Sequence, residues 1–351
     1  MKEYLLMESI EKLENYRIRW MQNVDVHLMI TEQCNYSCRH CLIGDKNSVV
    51  EKKLVFRIID ELHEIGNKKI IFNGGEVFTF PGFEEIVRYA HSKGFHTSCV
   101  SNGSFIDTEV AELIKQTNLE VALSIDGPPG IHNYIRNSES AFQNVENALA
   151  NLKNSHVHFY GVISCIMKDN LQYIDWIVNY CIEQGVKYLR IQPVIEKGNA
   201  ASSCFRDKLL SPQELLLLYD RIQEISSERV YDIDIVTIGS FLEDIMEHKC
   251  KFGLCFGDDC HQNTIPWPNG LGIRTDGSIF PFEPVFDLND DWMIGNANNG
   301  LIACLDKYYG SPDHVRLLDT VRKFIERIPP DSPLPVGLND LIDYMNKESL
   351  Q

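Results

Sequence analysis

The sequence has no run approaching the ~20 apolar residues of a membrane span. Its opening stretch, MKEYLLMESIEKLENYRIRW, carries charges throughout where a signal peptide would be apolar. Basic residues are in the minority: 33 Lys and Arg face 50 Asp and Glu, for a net charge of −17, and no Lys/Arg run is visible. Phosphate backbones are bound by basic surfaces, so nucleic acid is not expected as a main partner. There is no internal repeat and no low-complexity tract. These absences predict a soluble, cytoplasmic protein with no membrane partner. What the chain does have is cysteine, 11 in 351 residues. Disulfides are not expected in a reducing compartment, so clustered cysteines point to metal and scattered ones to apolar core positions.

From residue 24 onward, strand-like and helix-like segments alternate. Predicted strands lie at 24–31, 69–73, 96–101, 121–125, 158–164 and 188–193, with helices at 54–65, 83–92, 108–116, 141–152 and 171–184 between them. Alternation of this kind is the signature of right-handed βαβ units on a parallel sheet. The segments that follow the strands carry most of the unusual Gly, Asn, Asp and Cys residues, and in α/β folds ligands bind at those strand ends. The periodicity alone does not separate a partial barrel from a doubly wound sheet. Beyond Pro193 the character changes. Ser211-Pro212-Gln213-Glu214 is a helix start running to about Ser226, and LGIRTDGSIFPF reads as a hairpin turning at Asp276-Gly277.

Directly after the first strand stands Cys34-Asn-Tyr-Ser-Cys38-Arg-His-Cys41. Three soft thiolates so close together can wrap one face of an iron–sulfur cubane and leave the fourth iron open to a small chelating molecule. The competing reading is a structural zinc site completed by His40 or a distant ligand, but zinc sites usually show paired CxxC elements. Cys99, Cys165 and Cys181 fall in strands or on an apolar helix face and read as core thiols.

With this motif the chain resembles the radical S-adenosylmethionine superfamily, whose CxxxCxxC follows the first strand of a partial βα barrel. Further elements match in order. Gly74-Gly75-Glu76 resembles the family's GGE element, whose backbone meets the methionine amino group, and Ser101-Asn102-Gly103 resembles its (T/S)NG element. Ser124 and Asp126 in SIDGPPGIHNYIR resemble the segment that reaches the ribose, although an Asp-Gly turn alone would look the same. The resemblance further implies Arg136 near the methionine carboxylate, and Ile163 and Gln192 near the adenine and the radical carbon. The implied fold is α/β, a partial (βα)6 TIM-like barrel over 23–210. An N-terminal extension (1–22) would precede it. A SPASM/twitch-like extension (211–310) and a helical tail (311–351) would follow.

The SIDGPPGIHNYIR phrasing is similar to anaerobic sulfatase-maturating enzymes and peptide maturases, whose extension holds auxiliary clusters. Here the expected Pro-Cys is Pro281-Phe282, the downstream IGNANNGL matches, and the dense cysteine run after it is missing. Cys255 and Cys260, with Cys250, leave two readings open: one auxiliary Fe–S cluster, or a cluster-free extension. Glu283 occupies the place where that branch carries a general base, and a hairpin-end acid would look alike. The resemblance implies a 4Fe–4S cluster, S-adenosylmethionine, a flavodoxin or ferredoxin as electron donor, and a precursor peptide or small protein as substrate. Radical modification of a small molecule or nucleotide is the alternative within enzymes, and a structural Fe–S or zinc protein the one outside them.

Overall fold

The structure is a computed structural model that describes residues 14, 15, 17–44, 46–228, 233–237, 270–282, 288–328 and 338–348. Six parallel strands form its centre: β1 (Asp25–Thr31), β2 (Lys69–Gly74), β3 (His96–Ser101), β4 (Glu120–Ser124), β5 (Tyr160–Ile166) and β6 (Tyr188–Pro193). The helices between them are α1 (Lys52–Glu64), α2 (Phe83–Ser92), α3 (Thr108–Thr117), α4 (Pro129–Arg136), α5 (Ala141–Asn154) and α6 (Ile174–Glu183). Each long helix turns an apolar stripe onto the outer face of the sheet. In α1 that stripe is Leu54, Val55, Ile58, Ile59 and Leu62, at helical spacing. The strands are apolar because their outer faces are covered by these helices. The partial βα barrel expected from the sequence is therefore present, and α4, which the alternation did not predict, is an added helix after β4.

The sheet continues past the six units on both sides, in the order β10-β9-β8-β1-β2-β3-β4-β5-β6-β7. The helix α7 (Pro212–Glu228) leads toward β7 (Asp234–Thr237), which pairs parallel with β6. On the other side β8 (Gly270–Ile273) pairs parallel with β1, with Asp25 opposite Gly270 and Leu28 opposite Ile273. The expected hairpin is β8 with β9 (Ser278–Phe280), turning at Asp276-Gly277, and β10 (Gly295–Asn296) lies antiparallel to β9. Three helices follow, α8 (Leu301–Tyr308), α9 (Pro312–Glu326) and α10 (Leu338–Glu348). Glu61 on α1 accepts from the Ile302 amide at 2.8 Å, and Arg57 donates to the Ala297 carbonyl at 3.0 Å, so this later segment is fastened to the first helix. Among the described residues no helix is long and apolar enough to cross a membrane.

One buried side chain sets where β1 begins. Asn67 has no solvent exposure; its amide donates to the carbonyls of Met21 (3.0 Å) and Val24 (2.9 Å) and its oxygen accepts from Lys69 N (2.9 Å). It thereby ties residues 17–22, which include fully buried Trp20, to the starts of β1 and β2. Asn67→Ala leaves buried carbonyls without donors and is expected to cost about 2–4 kcal/mol. Urea unfolding of the metal-free protein measures it, and a loss below about 1 kcal/mol would refute this role.

Candidate active site

The cysteine loop leaves β1 at Thr31, where the pairing with β2 shifts register and Thr31 stands opposite Gly74. The two glycines are required by the closeness of the backbones. A Cβ on Gly75 would lie 2.3 Å from the Gln33 carbonyl oxygen, and one on Gly74 would lie 2.7 Å from that of Thr31. Gly75 N donates to Thr31 O (3.0 Å) and Glu76 N to Gln33 O (2.9 Å), so the exit of β2 runs hydrogen-bonded along the entry to the cysteine loop. The outer side of the loop is fastened to α4 and α5. Arg39 N donates to Ile135 O (3.0 Å), its Nε donates to Tyr134 O (2.9 Å), and Asn144 donates to the Tyr36 hydroxyl (2.6 Å).

Glu76 does not reach the cavity with its side chain. It is fully buried and accepts from Asn102 N (2.7 Å), the Ser101 hydroxyl (3.0 Å) and Phe78 N (3.3 Å). The GGE and SNG segments are thus one unit, a carboxylate at the end of β2 that shapes the exit of β3. Burial pushes the carboxyl up to about 7 against the pull of those hydrogen bonds. Asn102 in turn donates to Asn35 Oδ1 at 2.8 Å, which carries the order into the cysteine loop.

Asp126 is likewise placed behind the cavity wall, where the sequence reading put it toward a ribose. It has no solvent exposure; Arg136 Nε donates to its Oδ2 at 2.6 Å and Cys165 N to its Oδ1 at 3.0 Å. Burial alone would raise this carboxyl, but the Arg136 guanidinium holds it below the usual carboxylate range. Burial raises the pKa of the nearby Cys38 thiol, and the Arg136 charge opposes that rise. The Asp126 backbone N donates to His132 Nδ1 (3.1 Å), which assigns His132 as a neutral ring with its proton on Nε2. Burial depresses both His132 and His40 to about 4.

These elements surround a cavity of about 990 Å³ that runs through the barrel. Cys34, Cys38 and Cys41 line it together with Gly74, Gly75, Ser101, Asn102, Ser124, Arg136, Ile163 and Gln192. Of the predicted cofactor residues, only Glu76 and Asp126 are held back from its surface. Cys255, Cys260 and Glu283 lie outside the described residues. Cys181 belongs to the core as expected, and Cys99 packs in the core while also touching the cavity. Cys165 is a correction: it lies outside the core cluster, lines the cavity, and its sulfur accepts from Gln192 Nε2 at 3.3 Å. The strand alternation that puts Ile163 inward puts Cys165 inward too, and that signal was available in the sequence. His40 was considered only as a zinc ligand; it is buried against the cavity, and its Nδ1 has no hydrogen-bond partner among the described residues.

The donor set distinguishes a cluster from a single ion. Ligands of one zinc, at about 2.0–2.3 Å from it, lie within about 4 Å of one another. Among the described residues the only such group with ligand atoms within 4.8 Å of one another is His40, Asp126 and Cys165. The three motif cysteines are not such a group, while all three face one cavity, as the ligands of a cubane cluster must. The His40 group is a poor cation site, because Arg136 already occupies its carboxylate.

Comparison with known proteins agrees with this geometry. Residues 28–181 match the family model of the Radical SAM superfamily. An AdoMet-dependent heme synthase of Oleidesulfovibrio alaskensis is 29% identical over 178 residues, covering 49% of this chain and 46% of the relative. The chain spans about half the length of the first curated relatives it matches, two AdoMet-dependent heme synthases and an Fe-coproporphyrin III synthase. A cysteine-type anaerobic sulfatase-maturating enzyme of Clostridium perfringens is 25% identical over 296 residues, 76% of this chain and 75% of the enzyme. Streptococcus suis SuiB, in a crystal structure with S-adenosylmethionine bound, superposes with a TM-score of 0.67 at 14% identity, over 90% of this chain and 72% of that one, and so shares the fold.

The Glu76 environment makes a signed prediction. A carboxyl raised from 4.5 to about 7 contributes stability that is complete below pH 4.5 and lost as the pH rises through about 7. Glu76→Gln carries no such proton. The stability of wild type relative to this variant should therefore fall by about 3 kcal/mol between those pH values. His40 and His132 act with the opposite sign but equally in both proteins, so they cancel in the difference. Urea unfolding of the metal-free proteins across pH 4.5–8 measures the gap, and one that does not vary with pH refutes the assignment.

Proposed function

Because this chain belongs to the radical SAM superfamily, we propose that it binds a 4Fe–4S cluster and S-adenosylmethionine in the barrel cavity and modifies a peptide or small protein. The observation that carries the radical reading is the arrangement of Cys34, Cys38 and Cys41, which face one cavity lined by the elements after β2, β3 and β4. When bound, the reduced cluster and S-adenosylmethionine supply a 5′-deoxyadenosyl radical that takes a hydrogen atom from an unactivated carbon.

The chain's own contribution is holding and shielding. The three cysteines hold the cluster. The backbone at Gly74-Gly75, with Ser101, Asn102, Ser124 and Arg136, presents polar groups to an amino-acid and ribose portion, and Ile163 gives an apolar wall. Arg136 stays charged beside the cavity because Asp126 is fixed against it. Glu283 is proposed as the base that accepts the proton when a substrate radical is oxidised, and Cys255 and Cys260 as ligands of an auxiliary cluster. Free thiols at all three motif positions suit the reducing cytoplasm, where a flavodoxin or ferredoxin would deliver the electron.

The extent of the likeness favours a peptide over a tetrapyrrole or other small molecule. The heme-synthase match covers 49% of the chain, while the sulfatase-maturating match covers 76% and so takes in sequence outside the six βα units. A ribosomally made precursor, crosslinked, oxidised or epimerised, is the substrate proposed.

Anaerobic reconstitution with iron and sulfide, followed by dithionite and S-adenosylmethionine, should yield 5′-deoxyadenosine. Cys34→Ala, Cys38→Ala and Cys41→Ala should each lower that yield at least about 100-fold, since each removes a ligand. Stoichiometric zinc in the protein as isolated, or no 5′-deoxyadenosine from a folded, iron-loaded wild type, would overturn the reading.

A further inference from the structure

The strands β1 and β6 are the ends of the six-unit barrel, and β2–β5 separate them in the sheet. At the cavity mouth the gap between them is crossed by the segment after β6. Asn199 N donates to the Cys41 carbonyl at 2.8 Å, and Asn199 Nδ2 donates to the Cys38 carbonyl at 2.9 Å. One side chain and its own amide thus hold the main chain of two of the three motif cysteines.

Gly198 makes that approach feasible. Its φ is +54°, and a Cβ there would lie 2.3 Å from the Cys41 carbonyl oxygen and 2.4 Å from that of Leu42. Both atoms are backbone, so no rotamer change relieves the clash. The segment is itself anchored from behind. Ala200 and Phe205 are buried with Ile135 and Met167 in an apolar cluster separate from the main core, and Lys197 pairs with Asp343 on α10 at 3.2 Å. The clasp therefore joins a braced loop to the cysteine loop.

We propose that Gly198 and Asn199 form a clasp that sets the spacing of Cys38 and Cys41, with Asn199 a positioning residue for the cluster. The proposal rests on the reading that these cysteines hold a cluster. A ligand's sulfur goes where its Cα–Cβ bond points, and that direction is fixed by the hydrogen bonds of the flanking peptide groups. Partners of this outer kind typically change metal affinity by about 10–100-fold when removed.

The test compares reconstituted wild type, Asn199→Ala, Gly198→Ala and Asn67→Ala. Asn67 does not line the cavity, and its loss lowers stability without touching the cysteine loop. The readouts are the rate of iron loss to a chelator and the electron paramagnetic resonance spectrum of the reduced cluster, with and without S-adenosylmethionine. Asn199→Ala is expected to lose iron about 10–100-fold faster and to show an altered spectrum. Gly198→Ala should do the same where it folds, and Asn67→Ala should match wild type in both. A wild type that holds its cluster beside an Asn199→Ala that holds it equally well overturns the clasp alone. Faster iron loss shared equally by Asn67→Ala also overturns it, by reducing the effect to general stability. A folded wild type that takes up no cluster overturns the reading beneath it, and the clasp with it.

Discussion

The buried ion pair of Asp126 and Arg136 is the constraint on which the site depends. Its carboxylate joins the end of β4 to α4 through Arg136 and to β5 through Cys165 N. The backbone of the same residue is taken by His132 and by Asn170, whose amide donates to the Asp126 carbonyl at 2.9 Å. Removing one member of such a pair strands the other and costs about 3–5 kcal/mol. The pair also fixes charge. Burial, reinforced by the Arg136 cation, keeps His40 and His132 neutral to about pH 4. The cavity wall at Cys38 therefore presents one fixed cation with its counterion behind it.

A second tie runs around the other half of the mouth and is built from backbone. The glycines after β2 lie against Thr31 and Gln33, Glu76 gathers the exit of β3, and Asn102 passes the order on to Asn35. No reacting group is placed by a single element. The exits of β1, β2 and β3 are tied to one another, those of β4 and β5 are tied through Asp126, and the segment after β6 returns to the cysteine loop at Asn199. An open barrel has no strand pairing to close its ring, so its mouth is closed by side chains and loops.

What could be read in the sequence follows from how local each signal is. The CxxxCxxC motif, the Gly-Gly-Glu and Ser-Asn-Gly segments and the six strands are contiguous patterns. The strands stand where the pattern implied, and the motif cysteines, Gly74, Gly75, Ser101 and Asn102 line one cavity while Glu76 lies behind it. Asp126 was given the wrong environment because an Asp-Gly turn gives no hint that an arginine ten residues on will seal it away. Asn199 gave no signal at all: its partner Cys38 is 161 residues distant, and a loop asparagine looks the same whether it faces water or a ligand's carbonyl. The parallel pairing of β8 with β1 was hidden for the same reason, since its four residues, Gly270–Ile273, carry no long period and the pairing is non-local.

The size of the cavity bears on when the site can work. The interior of a closed barrel is normally filled by its own side chains. Here Ala122 stands opposite Gly161 in the register of β4 and β5, both facing inward, and about 990 Å³ is left open. An apolar void of that size would cost about 24 kcal/mol at ~24 cal/mol per Å³, more than the roughly 5–15 kcal/mol that stabilises a domain. The chain avoids this cost because the space opens to solvent and carries polar groups, including His27, Asn73, Ser98 and Glu120, on its wall. A space open to water is a poor place for a reactive radical. On the function proposed above, the dryness that radical chemistry needs is not a property of the fold alone. It would arise when cofactor and substrate together displace water from this space, which would couple hydrogen abstraction to full occupancy of the barrel.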